Sequence, residues 1–270
     1  MPYCQVRKAK IYYEVIGEGT PILMIHGFSP DHRLMVGYME PLFTNRTGYR
    51  RIYFDLPGMG RTKNYHDINS SDDILDTVLD FIEKILPEQD FIIVGESYGG
   101  YLARGVIQKK SERLLGAAFI CPVIFPLPED RLVEDHQIFK KDEKFLATLT
   151  KDELEIFIKN NVILDEYTWL RYREEILSGC QTADERFLMR VNEKYRFSFE
   201  IDQADFDQPS LFLLGRQDSV VGYQDALELS KTYTRATIAV FDQAGHNLQI
   251  EHPKLFNAHM DEWLDRIKPV

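Results

Sequence analysis

Six short apolar runs set the strongest limit on how this chain can fold. Residues 21–27 (PILMIHG), 50–58 (RRIYFDLPG), 91–95 (FIIVG), 116–122 (GAAFICP), 210–215 (SLFLLG) and 236–242 (ATIAVFD) are rich in Ile, Val, Leu or Phe, and each is stopped by Gly, Pro or Asp. Continuous apolar runs of this length suit strands covered on both faces, as in a parallel sheet between two layers of helices. The stretch KIYYEVIGEG alternates and then turns at Gly17 and Gly19, as a hairpin strand does. The intervening stretches read as helices. SSDDILDTVLDFIEKIL opens with Ser70 or Ser71 as a cap and acids in its first turn, and places Ile74, Leu75, Val78, Leu79, Ile82 and Ile85 at helical spacing.

The alternation stops between about Pro122 and Pro209. No strand signal occurs there, and four helix-like stretches follow one another with twelve basic and eighteen acidic residues over 123–204. This predicts a helical cap (residues 123–205) inserted into an α/β core made of residues 1–122 and 206–270. Its aromatic residues, among them Phe157, Trp169, Tyr172 and Phe187, have spacings that fit helix packing, and CPVIFPLPED reads as a stiff hinge into the insertion.

Gly95-Glu96-Ser97-Tyr98-Gly99 lies directly after one apolar run and directly before a helical stretch. A serine on so tight a strand-to-helix turn stands clear of neighbouring side chains, while the backbone passes too close for anything but Gly on either side. The helix that follows aims free N–H groups at developing negative charge. A capping serine in a plain tight turn is the structural alternative. A serine hydroxyl needs a base to act as nucleophile. Of seven histidines only His246, in DQAGHNLQIEHP, lies in a loop just past a strand, where open α/β sheets build their sites. His66, His136, His252 and His259 read as surface or packing residues. An acid must orient that base. Asp218, just past the 210–215 run, is the choice over Asp242, too near His246 on its own strand, and Asp207, which precedes its strand. After the 116–121 run, another place for an acid, there are Cys121 and Pro122 instead.

HGFS (26–29), DLPGMGRT (55–62), GESYG (95–99) and the GRQD/AGH pair, taken together and in this order, resemble the α/β-hydrolase superfamily along nearly the whole chain. The resemblance implies a mostly parallel eight-stranded sheet flanked by helices. It implies that Ser97, Asp218 and His246 are catalytic and that the backbone N–H groups of Phe28 and Tyr98 form an oxyanion hole, their side chains being free to shape the pocket. It also implies that His26 is structural and that DLPGMGRT is an architectural turn, with Thr62 where Ser is usual. The expected activity is hydrolysis of a small carboxylic ester through an acyl-enzyme. A proline iminopeptidase-like aminopeptidase, a C–C bond hydrolase and a non-catalytic small-molecule receptor on the same fold are the alternatives.

Composition narrows the partners. A net charge of −11 without a basic patch argues against nucleic acid. The N-terminal stretch lacks a signal-peptide core and no run is long enough to span a membrane, so a cytoplasmic protein is expected. Three scattered cysteines, without CxxC or HExxH spacing, fit free thiols and call for no metal; no cofactor is implied. The expected partner is an apolar acyl ester, and oligomeric state is open.

Overall fold

The computed structural model describes residues 3–267. The apolar runs and the N-terminal hairpin form one eight-stranded sheet. In chain order its strands are β1 (Tyr3–Gln5), β2 (Lys10–Ile16), β3 (Thr20–Ile25), β4 (Tyr49–Phe54), β5 (Phe91–Glu96) and β6 (Leu114–Ile120). After two strands of the inserted segment, β7 (Lys140–Lys141) and β8 (Ile163–Leu164), come β9 (Ser210–Gly215) and β10 (Ala236–Phe241). The spatial order is β1-β2-β4-β3-β5-β6-β9-β10. β1 and β2 run antiparallel to their neighbours, and every pairing from β4 to β10 is parallel. Ile22–Ile25, Ile92–Val94, Ala117–Ile120 and Leu211–Leu214 are all fully buried, as their unbroken apolar character requires.

From β3 the chain moves one way to β4 and then crosses to β5 on the other side. A sheet that reverses its winding in this way opens a crevice at the C-terminal ends of the flanking strands. The helices α1 (His32–Met39), α2 (Ser71–Ile85) and α3 (Tyr98–Lys110) follow β3, β4 and β5. Ser70, not Ser71, caps α2, its hydroxyl accepting from the Asp73 N–H at 3.2 Å.

The segment between β6 and β9 is mostly helical, with helices that include Lys151–Asn160, Glu166–Tyr172 and Glu185–Asn192. It differs from the sequence expectation in two ways. Residues 134–139, the start of a stretch expected to be helical (134–149), are irregular and largely exposed, and β7 and β8 form a two-stranded parallel pair. Tertiary bonds compete with helix formation here. The Leu132 N–H is bound by Asp225 Oδ2 at 3.0 Å, and the Phe139 N–H by the Val162 carbonyl at 2.8 Å. The segment is fastened to the sheet side by further bonds, among them Asp184 N–H to Gly58 O at 2.8 Å and Arg171 Nη2 to Gly37 O at 3.1 Å.

Candidate active site

The turn at Ser97 forms because β5 ends directly against α3. Ser97 is the residue before the helix and has φ +51°, ψ −113°, a left-handed conformation that costs a non-glycine residue on the order of 1–3 kcal/mol. The flanking glycines are required by close approach: a Cβ on Gly99 would overlap the Ile25 carbonyl, and one on Gly95 would overlap the Gly99 carbonyl. The surroundings hold the strain in place. The Ser97 N–H donates to Ile120 O at 2.9 Å, and its carbonyl accepts from Val123 N at 3.0 Å.

Three distant loops meet at this turn. The Ser97 hydroxyl lies 2.9 Å from His246 Nε2, and His246 Nδ1 lies 2.8 Å from Asp218 Oδ2. In the neutral ring, Nδ1–H donates to the carboxylate and Nε2 accepts from the Ser97 hydroxyl. Asp218 is fully buried, and its other oxygen accepts from the N–H groups of Val220 (2.9 Å) and Val221 (3.0 Å). Burial alone would raise its pKa; the His246 charge and hydrogen bond and the two N–H groups outweigh this and hold it below the usual carboxylate value. For His246, burial favours the neutral ring, but Asp218 and then Glu96 favour the charged one and raise its pKa to about 9. The competing acids fall elsewhere: Asp242 accepts from Gln217 Nε2 at 3.1 Å, and Asp207 is exposed. Cys121 occupies the end of β6, its buried thiol pushed up by burial and by Asp218.

His26 has both ring nitrogens engaged: Nε2 accepts from Leu56 N–H at 3.0 Å, so Nδ1–H donates to Gly27 O at 2.8 Å. It pins the loop carrying Phe28 to the start of the DLPGMGRT turn. In that turn Thr62 donates to Asp55 O at 2.6 Å and accepts from Tyr12 N at 3.0 Å, so its hydroxyl closes the turn against β2. The four histidines expected at the surface or in packing are apart from the site: His66 is exposed, His136 and His252 bond backbone carbonyls at Ile158 and Gln243, and His259 stacks on Phe241.

A cavity of about 540 Å³ opens over Ser97, lined by Phe28, Ser97 and His246 together with apolar side chains including Leu34, Val123, Ile176, Leu177 and Leu188. Tyr98 begins α3, where a helix N–H has no intrahelical acceptor. Its side chain does not shape the pocket directly, contrary to expectation. It is fully buried, donates to Ser71 Oγ at 2.8 Å and supports Phe28 and Tyr195 from beneath at ring distances of 5.1 and 4.8 Å. Of the aromatic residues noted in the insertion, Tyr172 reaches the cavity, whereas Phe157, Trp169 and Phe187 are core.

Sequence reasoning missed a buried polar seam behind His246. Glu251 accepts from Gly245 N at 2.7 Å with one oxygen and from Val162 N at 2.8 Å with the other. Asn247 Nδ2 donates to Asn160 O at 2.9 Å and Asn161 Oδ1 at 3.1 Å. The seam ties the histidine loop to the inserted segment, and no spacing in the sequence announces it.

The family model for the alpha/beta hydrolase fold matches residues 20–253, and the chain belongs to that family of hydrolases. Among solved structures it is similar to an alpha/beta superfamily hydrolase from Oenococcus oeni PSU-1, with 34% identity, a TM-score of 0.91 and 99% of each chain covered. It is similar to the 2-hydroxymuconate semialdehyde hydrolase of Pseudomonas sp. (strain CF600), at 26% identity over 92% of this chain and 88% of that protein. It is also 25% identical to a monoacylglycerol lipase of Bos taurus, over 88% of this chain and 73% of the lipase. No helix among the described residues is long and apolar enough to cross a membrane.

Proposed function

We propose that this hydrolase cleaves a small carboxylic ester through an acyl-enzyme, with Ser97 as nucleophile, His246 as base and Asp218 as its orienting acid. The observation that carries this reading is the continuous chain of contacts from Ser97 Oγ through His246 to Asp218, at 2.9 and 2.8 Å. Ser97 Oγ attacks the ester carbonyl carbon while its proton passes to His246 Nε2. The backbone N–H groups of Phe28 and Tyr98 hold the oxyanion. The C–O bond to the alcohol then breaks and the Nε2 proton goes to the leaving oxygen. Water, deprotonated by His246, releases the acid and restores Ser97. Residues 123–205 act as a cap over the cavity, whose apolar walls suit an acyl chain.

Hydrolysis of p-nitrophenyl esters of graded acyl length tests the proposal. Multiple turnovers abolished by Ser97→Ala support it, and undiminished turnover in that variant overturns it. Similarity to the Pseudomonas enzyme favours C–C bond hydrolysis as the second reading. A kcat/KM for 2-hydroxymuconate semialdehyde exceeding that for every ester would select it.

A further inference from the structure

Glu96 is the last residue of β5 and immediately precedes the nucleophile, yet the reaction outlined above does not use it. It is 3% exposed and lines the cavity. One carboxyl oxygen lies 3.6 Å from His246 Nε2, the same nitrogen that faces Ser97 Oγ. The other packs so closely over Gly27 that a Cβ there would overlap it, which locks the side chain between the loop carrying Phe28 and the imidazole. A buried carboxyl so placed is costly to keep unless the charge it faces repays its lost hydration.

We propose that Glu96 is a positioning residue for His246: a second carboxylate, on the Nε2 side of the ring, that steadies the imidazolium formed when Ser97 gives up its proton. This rests on the hydrolytic reading above. In the step itself the Ser97 O–H bond breaks and the Nε2–H bond forms; Glu96 keeps its electrons and takes no proton, and that hydrogen leaves with the alcohol. Asp218 and Glu96 then bracket the charged ring from its two nitrogens. Burial and the charge of Asp218, after β9, make the Glu96 charge expensive without His246. The other ionisable groups facing it, Cys121 at the end of β6, Tyr38 on α1, and Cys180 and Tyr195 of the inserted segment, are held neutral by their own burial. Arg131 faces His246 but spends its donors on the Phe125, Pro126 and Val220 carbonyls. Burial raises the Glu96 pKa to about 7, and the His246 charge pulls against that rise.

The test compares wild type, Glu96→Gln and Glu96→Asp in two measurements: the pH profile of p-nitrophenyl ester kcat/KM, and the NMR titration of the His246 ring in the Ser97→Ala background. Gln keeps the volume and removes the charge. It should lower both the acid limb and the ring midpoint by about one pH unit and reduce kcat about tenfold with KM little changed. Asp keeps the charge and should hold the midpoint near the wild-type value. A ring midpoint that Glu96→Gln leaves in place overturns the inference even if the enzyme remains Ser97-dependent. Should Gln fail to fold, an Asp midpoint displaced as far as that of a chargeless Glu96→Ala does the same. Turnover that survives Ser97→Ala overturns instead the hydrolytic reading, and the ring titration separates the two failures.

Discussion

Ser97 Oγ and His246 Nε2 stand 2.9 Å apart although 149 residues separate them, and the strand end carrying the serine is closed against the helix that follows it. This contact supports a division of labour that mutation can test. Ser97→Ala should lower kcat by about 10⁴-fold or more, with KM within a few-fold of wild type and labelling by a fluorophosphonate lost. Asp218→Asn should keep that labelling site but lower kcat by about 10³–10⁴-fold, because a neutral amide no longer secures the Nδ1–H tautomer. Steady-state kinetics beside mass spectrometry of the labelled protein checks both.

The pH dependence follows from the environment of the ring. A base acts only when unprotonated, and Asp218 and Glu96 raise the pKa of His246 to about 9 against the effect of burial. Activity should therefore be highest on the alkaline side and fall as pH drops through that value, with an acid limb above the ~6.5 of a free imidazole. The corresponding stability has the opposite sense: the pair's contribution is full below the unfolded histidine pKa and fades as pH rises through the folded one. A kcat/KM profile with its limb below 6.5 would contradict the assignment.

Gly99→Ala should be strongly destabilising, by about 3 kcal/mol or more, since its Cβ would overlap a backbone carbonyl of β3 that cannot move without the central sheet. Thermal or urea denaturation measures it. An unchanged midpoint would mean that the sheet edge is softer than its burial indicates.

Glu251→Gln should lower kcat/KM by about 10- to 100-fold and stability by about 1–3 kcal/mol. An amide can accept from only one of the two N–H groups, Gly245 and Val162, that the carboxyl now serves. Ester kinetics and a denaturation curve on the same preparation show whether the histidine loop loosens together with the fold.

Ile176→Trp should shift acyl preference toward shorter chains. Ile176 lines the cavity within a five-residue π-helical turn, Arg173–Leu177, and a larger ring there would occupy acyl space. Each methylene of lost space changes kcat/KM by about 10-fold. The ratio of butyrate to acetate ester hydrolysis checks it.

Much of this architecture is legible in the chain because it is local. The runs at 21–27, 91–95 and 210–215 can be buried on both faces only in a covered parallel sheet, and GESYG announces a turn whose glycines have a steric reason. Asp218 and His246 are readable as residues just past strand ends, and in the folded protein they meet. The inserted segment is less legible: residues 134–139 have helical composition, but the bond from Phe139 to Val162, and that from Leu132 to Asp225 just before them, hold them irregular. Tyr98 turned inward because Ser71, on another helix, offers its hydroxyl.

The alternation of strands and helices, the strained turn at Ser97 and the loops bearing Asp218 and His246 are written into the chain locally, because each depends on spacing, side-chain shape or backbone freedom within a few residues. What emerges only once the chain is folded is that Glu96 faces His246 rather than solvent, that Glu251 joins the histidine loop to the inserted segment, and how wide a cavity lies over Ser97. Those outcomes depend on which buried charges and N–H groups come within about 4 Å of one another, and such distances exist only once the sheet has been assembled.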